Sequence, residues 1–194
     1  MSSESNPWSH LEWERVSEQA DKSYRILDMY TRQLRHPEHG AVRDFVVMKA
    51  PDWVNVIALT PENDVVLIRQ FRYGVESVTL EIPGGMVDPG ENALEAGKRE
   101  LREETGYVAD TWLELGVVEP NPAIQDNRCW TYLALDARFE GEIQHDSNEV
   151  IAMSNEPLDK IGSLIAEGEI QHALVVAAFF HLLNRAGGWK RPTA

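Results

Sequence analysis

Residues 85–107 read GMVDPGENALEAGKRELREETGY and place a glycine, a lone glutamate and a charged cluster at fixed distances from one another. Five residues separate Gly85 from Glu91, and seven more separate Glu91 from Arg99, where the cluster Arg-Glu-Leu-Arg-Glu-Glu begins. At background residue frequencies, such a match arises by chance on the order of once in a million chains of this length. Even if charged helices raise that frequency about tenfold, a chance match stays rare, and the pattern indicates a functional motif.

The charged cluster is expected to lie on a helix. The apolar period predicts a helix over residues 93–105, with Asn92 as its N-cap and Gly106 as its left-handed end. Arg99 would then be able to pair with Glu91 and fix the preceding loop to the helix. We interpret that pair as a structural one.

Three carboxylates of this helix share one face. Glu100, Glu103 and Glu104 lie at i, i+3 and i+4, and like charges at this spacing repel by roughly 0.2–0.5 kcal/mol per pair. A solvated helix face would tolerate that repulsion, and this is the simplest alternative. However, the glycines Gly84 and Gly85 allow the backbone to approach an ion or a phosphate closely. The combination predicts a site for a hard divalent cation such as Mg²⁺.

Composition limits the classes of function. The chain has 194 residues, a net charge of −14 and one cysteine, Cys129. The acidic balance argues against nucleic-acid and anionic-membrane partners, and an anionic substrate would need bound cations. A single cysteine excludes an intrachain disulfide, and we expect Cys129 to be a small buried residue of a strand. The N-terminus is too charged for a signal peptide and no apolar run could span a bilayer, so we expect a soluble cytoplasmic protein.

The rest of the chain predicts strands followed by late helices, which favours a mixed sheet between helices in an α/β fold. We expect a short helix over residues 8–20, and apolar residues of the final helix should form core or dimer contacts, namely Ala173, Leu174, Ala177, Ala178, Phe180 and Leu182. The predicted strands cover residues 24–34, 42–48, 53–60, 65–71, 112–118, 129–134 and 150–153, and the predicted helices lie between Pro157 and Gly168 and over residues 170–186.

The stretch 85–107 resembles the complete signature of the Nudix hydrolases, and the resemblance extends over residues 42–183. Residues 67–73 and 81–85 look like the branch that cleaves ADP-ribose and nucleoside diphosphate sugars. Pro122, sixteen residues after Gly106, is similar to the downstream proline of that branch. The resemblance implies an α/β/α sandwich with a mixed sheet and a small N-terminal extension of a helix and strands. Residues 1–50 would be that extension and residues 51–194 the Nudix domain.

The resemblance also implies roles for individual residues. The metal ligands would be Gly84, Glu100, Glu103, Glu104 and Glu149, and Glu103 or Glu149 would take the proton of the attacking water. Substrate contacts would come from Arg72, Glu81, Gly85, Met86 and Pro122, while Glu91, Arg99 and Gly106 would be structural. Two alternatives stay open, because Arg72 and Glu81 could form only a surface ion pair and Glu149 could only end a solvated loop.

Two parts of the chain carry weaker implications. The loop from residue 121 to 127 departs from the Ser-Pro-Gly pattern of the branch, so its substrate contacts are open. Members of the branch are commonly dimers joined through their N-terminal strands, which implies a homodimer. In it, Tyr30 and Arg43 would be candidates to stack on the substrate base.

The resemblance implies hydrolysis of the diphosphate bond of ADP-ribose or a related nucleoside diphosphate sugar. The products would be a nucleoside monophosphate and a sugar phosphate, and the cofactor two or more Mg²⁺ ions, with Mn²⁺ as the alternative. A nucleotide-sugar sensor that does not cleave its ligand is one alternative function. An enzyme acting on nucleoside triphosphates or dinucleotides is another. The sequence leaves the preferred base and sugar open.

Overall fold

A computed structural model describes residues 6–141, 143 and 150–192 of the chain. It divides into two compact units. The first contains Met1–Pro51 and Asn121–Asn127, and the second contains Asp52–Pro120 and Arg128–Ala194. The loop with Pro122 therefore belongs to the same unit as the N-terminal strands.

The first unit is built on a three-stranded antiparallel sheet, formed by β1 (Glu14–Ser23), β2 (Asp28–Arg35) and β3 (Val42–Lys49). The helix expected over residues 8–20 is wrong, because only a 3₁₀ helix at Ser9–Leu11 is present and β1 follows it. β1 pairs with β2 from end to end, with two register shifts. This long-range pairing satisfies the backbone groups of the segment and overrides its weak helical pattern.

The hairpin of β2 and β3 agrees with the sequence-based expectation except at its start. β2 begins at Asp28 rather than at residue 24, because the Tyr24 N–H donates to the Leu27 carbonyl in the turn that follows β1. The opposite turn is closed by the His36 N–H, which donates to the Ala41 carbonyl, and Gly40 adopts a φ of 71° there.

The loop Asn121–Asn127 is bound to the edge of this sheet at β3. The Met48 N–H donates to the Ile124 carbonyl at 2.7 Å, and the Asp126 N–H donates to the Met48 carbonyl at 3.2 Å. Arg32 of β2 adds an ion pair with Asp126 at 3.2 Å. The position of the loop within its unit is thus set by backbone and charged contacts with the N-terminal strands.

The second unit contains a mixed sheet of seven strands. Its strands are β4 (Trp53–Leu59), β5 (Asp64–Arg72), β6 (Ser77–Glu81), β7 (Gly84–Met86), β9 (Thr111–Val118), β10 (Cys129–Leu135) and β12 (Ala152–Pro157). The main strand order is β12-β5-β4-β10-β9, with β6 paired to β5 and β7 paired to β4. β4 and β10 run parallel, and the other pairs are antiparallel. A separate two-stranded ribbon joins β8 (Tyr107–Val108) to β11 (Arg138–Phe139).

Helices cover both faces of this sheet. α1 (Ala93–Thr105) packs through Ala96 and Leu101 against Val54, Val56 and other residues on one face. α2 (Ile161–Ala166) and α3 (Ala173–Ala186) cover the other face, and a 3₁₀ helix at Leu158–Lys160 precedes α2. They pack against the alternate residues of β4, whose side chains point to that face. The expected α/β/α sandwich with a mixed sheet is confirmed.

The central strands are buried on both faces, as their density of β-branched residues predicts. All residues from Val65 to Ile68 are fully buried, and so are Val56, Ile57 and Leu59. Cys129 lies at the start of β10 and is buried, and burial raises the pKa of its thiol to about 12. The interpretation of Cys129 as a small core residue is confirmed.

The final helix begins later than expected and buries a partly different face. α3 starts at Ala173 rather than at residue 170, and it ends at Gly187 with a φ of 65°. Its core face consists of Val175, Ala178, Phe179 and Leu182. Phe180 is exposed, because the helical period turns it away from the sheet, so of its two expected roles only the dimer contact stays a prediction. In the described part of the chain, no helix combines the length and the apolar character needed to cross a bilayer.

Candidate functional site

The ends of α1 explain why the charged cluster forms a helix with these bounds. Asn92 caps the N-terminus, where its Oδ1 accepts a hydrogen bond from the Glu95 N–H at 3.0 Å. Gly106 ends the helix in the left-handed conformation with a φ of 70°. Gly97 lets the helix approach the sheet, because a Cβ there would lie only 3.2 Å from a methyl group of Val56. The glycine in mid-helix is therefore explained by close packing.

Arg99 donates hydrogen bonds to four other described residues at this site. Its Nε and Nη2 donate to the two carboxylate oxygens of Glu91 at 3.2 and 3.1 Å, and Nη2 also donates to the Met86 carbonyl at 3.0 Å. Its Nη1 donates to Glu100 at 2.8 Å and to Glu103 at 3.2 Å. The expected pair with Glu91 is present, and the hydrogen bond from Arg99 holds the pKa of Glu91 below its usual value.

Glu104 points inward, toward the glycine turn. Its side chain is almost fully buried, with a residue exposure of 4 %, and its Oε2 accepts a hydrogen bond from the Gly84 N–H at 2.9 Å. A Cβ on Gly84 would lie 2.2 Å from the Val54 carbonyl oxygen, and a Cβ on Gly85 would lie 2.3 Å from the Glu100 carboxylate. Both glycines are needed for the backbone to approach the helix this closely.

The donors at this site fit a hard divalent cation in their chemistry. Carboxylates and a backbone carbonyl are oxygen ligands of the kind that Mg²⁺ prefers. Among the described residues, however, no three His, Cys, Asp or Glu side chains converge as a ready ligand set. Arg99 Nη1 donates to both Glu100 and Glu103, while Glu104 accepts from the Gly84 N–H. Glu149, the fifth predicted ligand, lies outside the described residues.

Arg72 and Glu81 form more than a surface ion pair. Arg72 Nε and Nη2 donate to both oxygens of the Glu81 carboxylate at 2.7 and 2.6 Å, and the Thr79 hydroxyl donates to the same carboxylate at 2.6 Å. Glu81 has an exposure of only 2 %. Burial acts to raise the pKa of Glu81, but the hydrogen bonds from Arg72 and Thr79 outweigh it and hold the pKa below its usual value.

Sequence reasoning missed His172, the N-cap of α3. Burial lowers the pKa of its imidazole, and the negative charge of Glu81 acts in the opposite direction. Its Nδ1 is buried and has no hydrogen-bond partner. Nothing in the local sequence distinguishes this residue, because its relation to Glu81 arises only when α3 is placed against the sheet.

Replacing Arg72 by Met is expected to destabilise the protein at pH 7 by about 2 kcal/mol. Removal of one partner from a buried ion pair usually costs ~3–5 kcal/mol, and the 42 % exposure of the Arg72 side chain reduces that figure. Because the folded pKa of Glu81 lies below its unfolded value of about 4.3, the pair stabilises the fold above that pH and ceases to do so as the pH falls through the folded pKa. Urea unfolding at pH 7 and below pH 4 measures both effects.

Arg69→Met is the matched control for this prediction, since Arg69 lies on the same strand and is exposed. It should change the free energy of unfolding by less than about 0.5 kcal/mol. Equal losses in both variants, or a loss in Arg72→Met that does not shrink in acid, would contradict the importance of the buried carboxylate.

The remaining predicted residues lie in the first unit. Tyr30 on β2 has its ring covered by the Lys49 ammonium at 3.9 Å, and the Arg43 side chain bonds to the neighbouring Val42 carbonyl at 3.3 Å. Pro122 lies in the loop that is bound to β3. A base that stacks on Tyr30 would therefore have to displace Lys49 from the same ring face or use the opposite one.

Several known proteins are similar to this chain over most of its length. The sequence profile of the NUDIX domain matches residues 49–179. The ADP-ribose pyrophosphatase of Bacillus subtilis (strain 168) is 27 % identical over 173 residues, which cover 89 % of this chain and 93 % of that protein. The methanol dehydrogenase activator of Bacillus methanolicus is 31 % identical over 161 residues, which cover 82 % of this chain and 86 % of that protein.

A solved structure supports the fold. The crystal structure of an ADP compounds hydrolase superposes with a TM-score of 0.80 at 23 % identity, and the match covers 91 % of this chain and 95 % of that one. The profile match spans both the glycine turn and the carboxylate helix described above. The chain therefore belongs to the Nudix family.

Proposed function

We propose that this protein hydrolyses the diphosphate bond of ADP-ribose or a related nucleoside diphosphate sugar, giving a nucleoside monophosphate and a sugar phosphate. One observation carries the proposal: Glu104 is buried against the Gly84 N–H, on the helix that also bears Glu100 and Glu103. The name of the Bacillus subtilis relative, ADP-ribose pyrophosphatase, favours this class of substrate.

The proposed cofactor is Mg²⁺, with Mn²⁺ as the alternative and with two or more ions per site. Glu100, Glu104 and the Gly84 carbonyl would hold it, with help from Glu103 and Glu149. When bound, divalent ions neutralise charge on the phosphate oxygens and lower the pKa of the attacking water.

Residues of the chain would orient the substrate and remove a proton from the attacking water. Glu81 occupies the Nε and Nη2 edge of Arg72 and so fixes the plane of a guanidinium that is proposed to contact the diphosphate. Gly85 has no Cβ, so the Glu100 carboxylate lies directly against the backbone of the turn, where Gly85 is proposed to contact the substrate. Glu103 and Glu149 both stay candidates for the general base. A comparison of the pH–rate profiles of Glu103→Gln and Glu149→Gln would separate them.

A homodimer joined through the first unit is part of the proposal. None of the residues in β1, β2 and β3 is buried, although Trp13, Phe45 and Val46 offer apolar surface there. A three-stranded sheet needs a covered apolar face to be stable, and a second copy of the chain would supply one. In that dimer Tyr30, Arg43 and Pro122 are proposed to reach the substrate.

Val46→Glu is expected to convert the dimer into monomers, because it places a charge in the proposed apolar interface. Sedimentation equilibrium should give twice the chain mass of 22.0 kDa for the wild type and the chain mass itself for the variant. Val78→Glu, at an exposed position of β6, is the control and should leave the dimer intact. A wild-type monomer would disprove the assembly without affecting the proposed chemistry.

A substrate panel tests the proposed reaction. ADP-ribose, several nucleotide sugars, nucleoside triphosphates and dinucleotides would be incubated with Mg²⁺, and the masses of the products would be recorded. We expect cleavage of ADP-ribose or a nucleotide sugar into two monophosphates. Binding without cleavage would favour the sensor, and preferential cleavage of triphosphates or dinucleotides would favour the other enzyme class. The single cysteine makes the reducing cytoplasm the expected location.

A further inference from the structure

The guanidinium of Arg99 is shared between two sets of partners that lie on different sides of it. The edge formed by Nε and Nη2 bonds to Glu91 and to the Met86 carbonyl, at 3.0 to 3.2 Å. The corner formed by Nη1 bonds to Glu100 and Glu103, at 2.8 and 3.2 Å. The two sets have no partner residue in common.

The two sets differ in what they hold together. Glu91 and Met86 belong to the segment that leads into α1, so the first set fixes that segment to the helix. Glu100 and Glu103 belong to the face proposed to bind the metal. Because these two carboxylates lie one turn apart on the same helix face, they repel each other unless a positive charge lies between them. In the described structure that charge is Nη1 of Arg99.

We propose that Arg99 is an exchangeable counter-ion of the metal site. Its Nη1 group neutralises Glu100 and Glu103 until a divalent cation enters, and then it releases both carboxylates while the Nε–Nη2 edge stays on Glu91. This proposal rests on the proposed metal-dependent function. It makes Arg99 a positioning residue that holds Glu100 and Glu103 on one face of the helix by neutralising their mutual repulsion.

The planar shape of the guanidinium is essential to this exchange. Its separate N–H groups can bond to two sets of partners at once, so one set can be lost without moving the other. A lysine ammonium is a single point charge and would have to leave Glu91 in order to leave Glu100. In Arg99→Lys, metal binding should therefore loosen the segment before α1. In the wild type that segment should stay fixed, because Arg99 keeps its bonds to Glu91.

Arginine side-chain NMR in the wild-type protein gives the direct test. The ¹⁵N resonances of Arg99, identified by their loss in Arg99→Lys, would be followed during titration with Mg²⁺ alone. We expect a large change of the Nη1 resonance and little change of Nε, which remains on Glu91. An unchanged Nη1 resonance while Mg²⁺ raises the unfolding temperature would overturn the exchange and leave the proposed function intact. A change of the Nε resonance as large as that of Nη1 would also overturn the proposed exchange.

A variant adds an independent measurement. Arg99→Gln removes the positive charge that Nη1 places on Glu100 and Glu103. The affinity for Mg²⁺ measured by calorimetry should therefore rise by roughly threefold, as expected for two charge contacts at helical spacing. The unfolding temperature without Mg²⁺ should fall. Lys98→Gln is the control, since Lys98 pairs with Glu95 at 2.8 Å on the same helix. A Mg²⁺ affinity in Arg99→Gln that is equal to or weaker than that of the control contradicts the proposal, and no Mg²⁺ binding to the wild type contradicts both proposals.

Discussion

Glu104→Gln is expected to lower the turnover of ADP-ribose by roughly 10²–10³-fold while the protein stays folded. Glu104 is a proposed ligand of the divalent ion, and loss of such a ligand removes several kcal/mol of transition-state stabilisation, where each 1.36 kcal/mol corresponds to about tenfold in rate. The glutamine amide oxygen can still accept the hydrogen bond that the Gly84 N–H gives to Glu104 at 2.9 Å. The buried position is therefore filled by a side chain of equal size and without an unpaired backbone donor.

Two measurements make this prediction specific. The initial rate of ADP-ribose cleavage should fall in Glu104→Gln and stay within about twofold in Glu95→Gln, an exposed position on the same helix. Circular dichroism and urea unfolding should show that both variants are folded. A rate near that of the wild type in Glu104→Gln would disprove the assignment of the carboxylate helix as the reacting site, whatever the substrate.

Gly84→Ala is expected to reduce the free energy of unfolding by about 3 kcal/mol or more. Its Cβ would lie 2.2 Å from the Val54 carbonyl oxygen, which belongs to the central strand β4 and cannot rotate away. Overpacking against a rigid neighbour usually costs ~1–3 kcal/mol, and backbone contacts lie at the upper end of that range. Urea unfolding of the variant measures the loss.

Two other glycines separate the backbone clash from a general effect of added bulk. Gly74→Ala should change stability by less than about 0.5 kcal/mol, because nothing lies within 4 Å of its Cβ and its φ is not positive. In Gly85→Ala the Cβ would meet the flexible end of Glu100, so the fold should survive while Glu100 turns and the rate falls. Equal stability of the Gly84→Ala and Gly74→Ala variants would show that the turn can shift away from β4.

The carboxylate helix could be predicted from sequence because every signal that defines it is local. The cap at Asn92, the left-handed end at Gly106 and the period between them lie within fifteen residues, and the observed bounds of α1 match the expected ones. The strands β4 and β5 could also be predicted from sequence, because a dense run of β-branched residues predicts burial on both faces.

The N-terminal segment could not be predicted in the same way. β1 carries no alternating apolar pattern, and all of its residues are exposed. Its strand conformation comes from its antiparallel pairing with β2, which in turn holds Arg32 against Asp126 of a distant loop. Short strands such as β7 were missed for a similar reason, since Gly84–Met86 is extended only because β4 lies beside it.

The sequence by itself determined the bounds of α1 and its carboxylates, because helix period, caps and turn glycines act over a few residues. The resemblance of residues 85–107 to the Nudix signature implied the family and its α/β/α architecture. Only the tertiary structure decided how those groups are partnered. It buried Glu81 beneath Arg72, turned Glu104 onto the Gly84 N–H and divided Arg99 between Glu91 and two other glutamates. These contacts depend on how distant segments pack, and burial and hydrogen-bond partners set the charge state that a side chain adopts.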